Sequence, residues 1–218
     1  GIFTLRTAAD VDAIRAEAHP GRRAVIIGGG YIGLEAAAVL RELGLEVTVL
    51  ELADRVMNRV VCEPVSRFFE AEHAHHGVRI ALRAGLAAFR GDTRVRAVRC
   101  SDGSEHPADL VIVGVGVAPV DELARDAGLA CSNGIVVDEY CRTSDPHIYA
   151  AGDCTNHPSA RYVRRLRLES VDSAFEQATS AALNLIGTAT VHDKTPWFWS
   201  DQYDVKLIIV GLSQGHDR

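Results

Sequence analysis

Apolar positions along the first third of the chain alternate between two kinds of pattern. "AVII" at 24–27 and "EVTVLE" at 46–51 are short continuous runs that read as buried strands. Between them, "YIGLEAAAVLREL" at 31–43 places Ile32, Ala36, Val39, Leu40 and Leu43 at helical spacing, and Gly44 stops the helix. Strand, helix and strand predict a βαβ unit with parallel strands and a right-handed crossover. Upstream, "AADVDAIRAEA" at 8–18 predicts an amphipathic helix with Val11, Ile14 and Ala18 on one face, broken by "HPG" at 19–21. Downstream, a helix over 63–76 and a short strand "VRIAL" are followed by alternating stretches at 86–90 and 94–100. Turn residues "GD" and "DG" make these an antiparallel meander. "ADLVIVGVG" at 108–116 reads as another buried strand ending in glycines. The character of the chain changes near Gly116, where a domain boundary is expected. The "IYAA" run at 148–151 predicts one further strand.

Composition narrows the class. Of 218 residues, 47% are hydrophobic and 24% charged, enough for one large or two small globular domains. No apolar run is long enough for a membrane span, and no secretory signal is visible at the start. The net charge of −6 argues against general nucleic-acid binding. The five cysteines form no C-x-x-C pair and have no zinc-like spacing with histidine. They predict reduced thiols, a cytoplasmic location and no metal site.

Gly28, Gly30 and Gly33 make G-x-G-x-x-G after a strand and at the opening of a helix, with an acid at the end of the next strand. That context points to a dinucleotide. Gly28 permits the tight turn, Gly30 leaves room for a pyrophosphate, and Gly33 lets the helix approach the strand. The helix N-terminus, Tyr31 and Ile32 included, offers N–H groups and a positive dipole end to phosphates. Glu51 can accept both hydroxyls of an adenosine ribose and would repel a 2′-phosphate, which favours NADH over NADPH. Glu35, assigned to the first turn of that helix, is either a dipole-favoured carboxylate or a contact to the nicotinamide half. Gly116 joins the candidate cofactor-binding residues.

A second signal lies at "TSDPHIYAAGD", 143–153, where Gly152 and Asp153 give a close backbone approach and then a carboxylate able to bind a hydroxyl. Paired with "GGGYIGLE…VLE", it resembles the two-dinucleotide-domain flavoprotein reductases. "RLESVDSAFEQATSAALNLIG" and "PWFWSDQYDVKLIIVGLSQGHDR" bring the resemblance to the ferredoxin–NAD(+) reductase components of bacterial oxygenase systems. It covers essentially the whole chain.

That resemblance implies an α/β fold. A Rossmann-like NAD-binding domain with its meander spans 1–116. Part of an FAD-binding α/β domain spans 117–188, and the start of a C-terminal domain spans 189–218. It implies FAD and NAD as cofactors, with electrons passing from NADH through flavin to a [2Fe–2S] ferredoxin. Glu35 would approach the nicotinamide. Asp153 would bind the ribityl–phosphate part of FAD, and Glu169, Ser170 and Val171 would lie at the flavin. Trp197 and Trp199 would lie near the ring and the path to the ferredoxin; read from the residues alone, a core is the better fit. No side chain is assigned as acid or base.

The family carries its own glycine loop for FAD before the NAD-binding unit. Nothing of that kind precedes Ala24, so the chain is expected to be the middle of a protein roughly twice its length. Such a chain should hold FAD poorly, with 154–170 exposed or disordered. The family more often has Asn at the place of Val120. Arg161, Arg164, Arg165 and Arg167 crowd "RYVRRLR" immediately before the flavin turn, and are expected to steer an acidic ferredoxin. Two other readings are an apoptosis-inducing-factor-like redox and interaction flavoprotein, and a dinucleotide-binding fragment without activity.

Overall fold

The structure, a computed structural model, describes residues 1–213. The chain divides after Gly116 into two compact units.

The first unit opens with β1 (Ile2–Thr4), α1 (Ala8–Glu17), β2 (Arg23–Ile27), α2 (Tyr31–Glu42), β3 (Glu46–Glu51), α3 (Glu63–His75) and β4 (Arg79–Leu82). A meander follows, β5 (Leu86–Gly91), β6 (Val95–Cys100) and β7 (Glu105–Pro107), and then β8 (Leu110–Val113). Five strands form a parallel sheet in the order β1-β8-β2-β3-β4. The central strands carry unbroken apolar runs because both faces are covered. Val25, Ile27, Leu50 and Val111 pack with Val95, Val98 and Cys100 of the meander. Helix α2 lies against β2 and β3, and α3 against β4. Phe69, Ile26, Leu34 and Leu40 are fully buried there, each contributing about 1.5–3 kcal/mol by removal from water.

Helix α2 corrects the expected apolar face. Ile32, Val39 and Leu43 are exposed, while Gly33, Leu34, Ala37, Ala38 and Leu40 are buried. The helix meets the sheet at a distance set by Gly33, so its small side chains face inward and several large ones do not. Helix α1 is similar: Ile14 is buried, Val11 is exposed, and Ala18 is the C-cap rather than part of a packed face. Its start is held by a capping box between Thr7 and Asp10.

The second unit contains α4 (Glu122–Asp126), β9 (Ile135–Val136), β10 (Thr155–Ser159), β11 (Arg164–Leu166) and α5 (Val171–Leu185). Its sheet runs β11-β10-β9. The expected strand at 148–151 is absent from the regular structure. Tyr149 forms only an isolated bridge with Arg142, and the backbone of Thr143 bonds back to Ile148 across a tight turn. Gly152, at φ +87, then ends the extension, and the ladder begins at Thr155. Residues 154–170, expected to be exposed or disordered, are exposed at Ala160, Arg161, Val163, Arg164, Arg165 and Glu169 but buried or half-buried elsewhere. Strands β10 and β11 pair as a hairpin, with Thr155, Asn156, His157 and Leu166 buried.

A final two-stranded sheet joins β12 (Trp197–Gln202) and β13 (Val205–Val210). Its residues are divided between the two units. Ser200–Leu207 belong to the first unit, while residues 197–199 and Ile208–Leu212 belong to the second.

Candidate functional site

The glycine loop is shaped by backbone approaches that exclude side chains. Gly28 has φ +105, and a Cβ there would lie 2.3 Å from the Gly114 carbonyl oxygen. A Cβ on Gly33 would lie 2.0 Å from the Gly28 carbonyl oxygen. Gly30 differs: it has φ −79, and a Cβ would meet nothing within 4 Å. Its missing side chain therefore serves the space outside the loop. Gly30 caps α2 without any side-chain hydrogen bond, and the first helical bond runs from the Leu34 N–H to the Gly30 carbonyl at 2.9 Å. The first-turn amides, those of Ile32 and Gly33 among them, precede that bond and have no acceptor within the helix.

Glu51 stands at the same loop. Its Oε2 accepts from the Gly29 N–H at 2.6 Å and its Oε1 from the Ala53 N–H at 2.7 Å. Each carboxylate oxygen has a second lone-pair direction, so the group is fixed in place with acceptor capacity to spare. Gly29 is part of the site although the motif leaves that position open: a Cβ there would crowd Glu51 Oε2 at 3.1 Å. Arg55, the nearest arginine in sequence, is occupied. It donates to the Val61 and Asn58 carbonyls and to Ser66 Oγ. Gly116, at φ +121, has only Arg59 Nη2 near its Cβ position, at 3.9 Å.

Glu35 lies in the second turn of α2, which has no acid in its first turn. This corrects its placement and removes the dipole reading, since that effect fades within one turn. Glu35 is half-buried, and burial pushes its carboxyl above the usual carboxylate range. Ser200 Oγ donates to its Oε1 at 2.5 Å. Behind Ser200, Gln202 Nε2 donates to Ser200 Oγ at 3.0 Å, His73 Nε2 meets Gln202 Oε1 at 2.8 Å, and Tyr203 Oη meets His73 Nδ1 at 3.2 Å. Ser200, Gln202 and His73 are fully buried. Tyr31, beside Glu35 on the helix, has its phenol pushed up by burial and by that carboxylate.

In the second unit, the Gly152–Asp153 corner is anchored by Gln177 of α5. Gln177 Oε1 accepts from the Gly152 N–H and from Thr155 Oγ1, both at 2.7 Å. Gln177 is fully buried, and its Nε2 has no hydrogen-bond partner among the described residues. Ser170 is the N-cap of α5 and accepts from the Ser173 N–H at 3.2 Å. Glu169 pairs with Arg167. Trp197 and Trp199 are each 39% exposed, with ring centroids 5.6 Å apart, so neither is a core residue.

The four arginines separate into two kinds. Arg165 donates to the Val137 carbonyl at 2.6 Å and to the Asn156 carbonyl, and Arg167 binds Asn133 Oδ1, the Asp153 carbonyl and Glu169. The side chains of Arg161 and Arg164 are exposed and make no hydrogen bond or ion pair among the described residues. Sequence reasoning missed Ser200, Gln202, His73 and Gln177. Only Ser200 and Gln202 carried a signal, through the alternation of β12 that buries Ser200 and Gln202 opposite the two tryptophans.

Known proteins resemble the chain over its whole length. Residues 1–178 match the family model described as pyridine nucleotide-disulphide oxidoreductase, and 197–218 match one described as reductase C-terminal. The chain is 50% identical to the 5,5'-dehydrodivanillate O-demethylase ferredoxin reductase subunit of Sphingobium sp., over 100% of this chain and 54% of that protein. It is 48% identical to putidaredoxin reductase of Pseudomonas putida, over 98% of this chain and 51% of that one. The crystal structure of the covalent putidaredoxin reductase–putidaredoxin complex superimposes with a TM-score of 0.96 at 47% identity, covering 100% of this chain and 53% of the other. The chain thus spans about half the length of the relatives it matches. No described helix is long and apolar enough to cross a membrane.

Proposed function

The chain belongs to the pyridine nucleotide-disulphide oxidoreductase family, and from that premise we propose that it serves an NADH-dependent flavoprotein reductase passing electrons to a [2Fe–2S] ferredoxin of an oxygenase system. The observation that carries this reading is Glu51, held by the Gly29 and Ala53 amides beside an open Gly30. A carboxylate fixed there accepts ribose hydroxyls and repels a 2′-phosphate, and Arg55 is already bound elsewhere. The first-turn amides of α2 bind the pyrophosphate. Glu35 turns its second oxygen toward the nicotinamide end.

The residues of the second unit fit part of a flavin site. Gln177 holds the Gly152 corner and its buried Nε2 is an unused donor; the Asp153 carboxylate would hold the ribityl–phosphate part of FAD, and Glu169, Ser170 and Val171 would lie at the flavin. FAD held there would supply the change from a two-electron hydride donor to one-electron transfer, which matches NADH to a one-electron cluster. The protein's part is to bind, orient and exclude water; Trp197 and Trp199 present partly exposed rings for that purpose. Residues 1–116 form the NAD-binding domain, 117–188 part of the FAD-binding domain and 189–218 the opening of a C-terminal domain. The five cysteines are all free thiols, which suits the cytoplasm.

The ferredoxin docks at Arg161 and Arg164, whose guanidinium groups are available, with Arg165 and Arg167 bracing the segment. In the full-length flavoprotein, Arg161→Glu with Arg164→Glu slows NADH-driven reduction of an acidic [2Fe–2S] ferredoxin, most at low salt, and leaves reduction of a small artificial acceptor unchanged. Equal slowing of both acceptors would refute docking there.

A further inference from the structure

The polar chain behind Glu35 has a direction. Ser200 has one hydroxyl proton; donating it to Glu35 Oε1 leaves Ser200 Oγ to accept from Gln202 Nε2. With its nitrogen so used, Gln202 presents Oε1 to His73, so His73 Nε2 carries the proton. A neutral imidazole protonated there has Nδ1 as its acceptor, and Tyr203 donates to it. His73 is fully buried, and burial keeps it neutral by pushing its pKa down. All four hydrogen bonds therefore point toward one carboxylate oxygen. Oε2 of Glu35 makes no hydrogen bond among the described residues.

We propose that His73, acting through Gln202 and Ser200, is a positioning residue for Glu35, locking Oε1 so that Oε2 is the oxygen presented to the amide N–H of a bound nicotinamide. This rests on Glu35 facing the nicotinamide half, as proposed above. The chain has one other coherent polarity. If Glu35 donated a proton to Ser200, the Gln202 amide would have to turn over, His73 would carry its proton on Nδ1, and Tyr203 would accept. The tautomer of His73 thus reports the state of a carboxylate it does not touch. The charged and titratable groups around the chain are Tyr31 and Asp201 at Glu35, Glu72 and His76 at His73, and Arg41, Glu42 and Glu72 at Tyr203. His76 also stacks on the Tyr203 ring at 3.7 Å, which fixes the far end.

The test uses the chain labelled with ¹⁵N-histidine, with His73→Phe assigning the signal. Wild-type His73 is expected as the Nε2–H tautomer near neutral pH, and Glu35→Ala, which frees Ser200, is expected to convert it to a mixture of tautomers. A wild-type Nδ1–H tautomer, or one that ignores Glu35→Ala, overturns the proposal. Calorimetry supplies the functional arm: Gln202→Leu lowers NAD⁺ affinity about two- to tenfold, the loss of one positioning hydrogen bond. ADP-ribose, which lacks nicotinamide, is expected to stay within about twofold because its contacts lie at the loop. Equal loss for both ligands contradicts positioning. Failure of the wild-type chain to bind either ligand refutes the dinucleotide reading instead, and leaves the tautomer result to decide the coupling.

Discussion

The glycine loop of the first unit and the Gly152–Asp153 corner of the second, both proposed above as parts of cofactor sites, are held by different means. The loop is made by backbone against backbone. Gly28 meets Gly114, Gly33 meets Gly28, and only Gly30 faces open space. The corner is made by a side chain, Gln177, which sits 25 residues further along and accepts from Gly152 and Thr155. A local, backbone-built site tolerates no added atom at its contact points. A side-chain-built site tolerates added atoms at its rim and depends on one remote acceptor.

The largest expected effect breaks the loop. Gly33→Ala places a methyl 2.0 Å from the Gly28 carbonyl oxygen, and is expected to destabilise the first unit by roughly 3 kcal/mol or more, since backbone on both sides must move. Gly30→Ala is expected to leave the urea unfolding midpoint nearly unchanged while dinucleotide binding is lost. If both variants unfold alike, the division between contact glycine and ligand glycine is wrong.

The second unit should be acid-sensitive. His157 is buried and packed against His192 at 5.0 Å between ring centroids. Burial lowers its pKa from 6.5 to about 4, with the His192 and Arg165 charges acting in the same direction. The unfolded chain binds a proton on this residue that the folded one refuses, so stability rises with pH across this window. The contribution is complete above about pH 6.5 and is lost as the pH falls toward 4, roughly 3 kcal/mol in all. Denaturant unfolding at pH 7, 6 and 5 should show the slope, and His157→Gln should flatten it. A slope unchanged in the variant would mean another group sets the acid limit.

Gln177→Leu is next in size. It leaves the Gly152 N–H and the Thr155 hydroxyl without their acceptor, and is expected to cost about 2 kcal/mol. Loss of amide exchange protection should centre on Gly152 and Thr155. The smallest effect separates the arginines. Arg165→Ala is expected to cost about 1–2 kcal/mol through lost bonds to two carbonyls, while Arg164→Ala stays within about 0.5 kcal/mol. Equal stability losses would place both in structure and leave Arg161 alone as a docking candidate.

What the sequence made legible follows the same contrast. The βαβ unit, its loop and Glu51 could be read because strand runs, glycine spacing and a terminal acid are local signals. The buried face of α2 could not, because apolar spacing selects Ile32 and Val39 while close packing at Gly33 selects Ala37 and Ala38. The "IYAA" run has the composition of a strand but finds only Arg142 opposite Tyr149. Arg165 and Arg164 are alike as letters, and only the fold shows that one is braced by carbonyls. The pairing of Glu35 with Ser200 spans 165 residues, and no local pattern announces it.

Selection of NADH is proposed to rest on this loop and Glu51. Its most direct test is calorimetric titration of the chain with NADH and NADPH at one salt concentration, repeated on Glu51→Ala. The wild-type chain is expected to bind NADH more tightly than NADPH, and the variant to show a narrowed or abolished preference. NADPH binding as tightly as NADH to the wild-type chain, or a preference indifferent to Glu51, would contradict it.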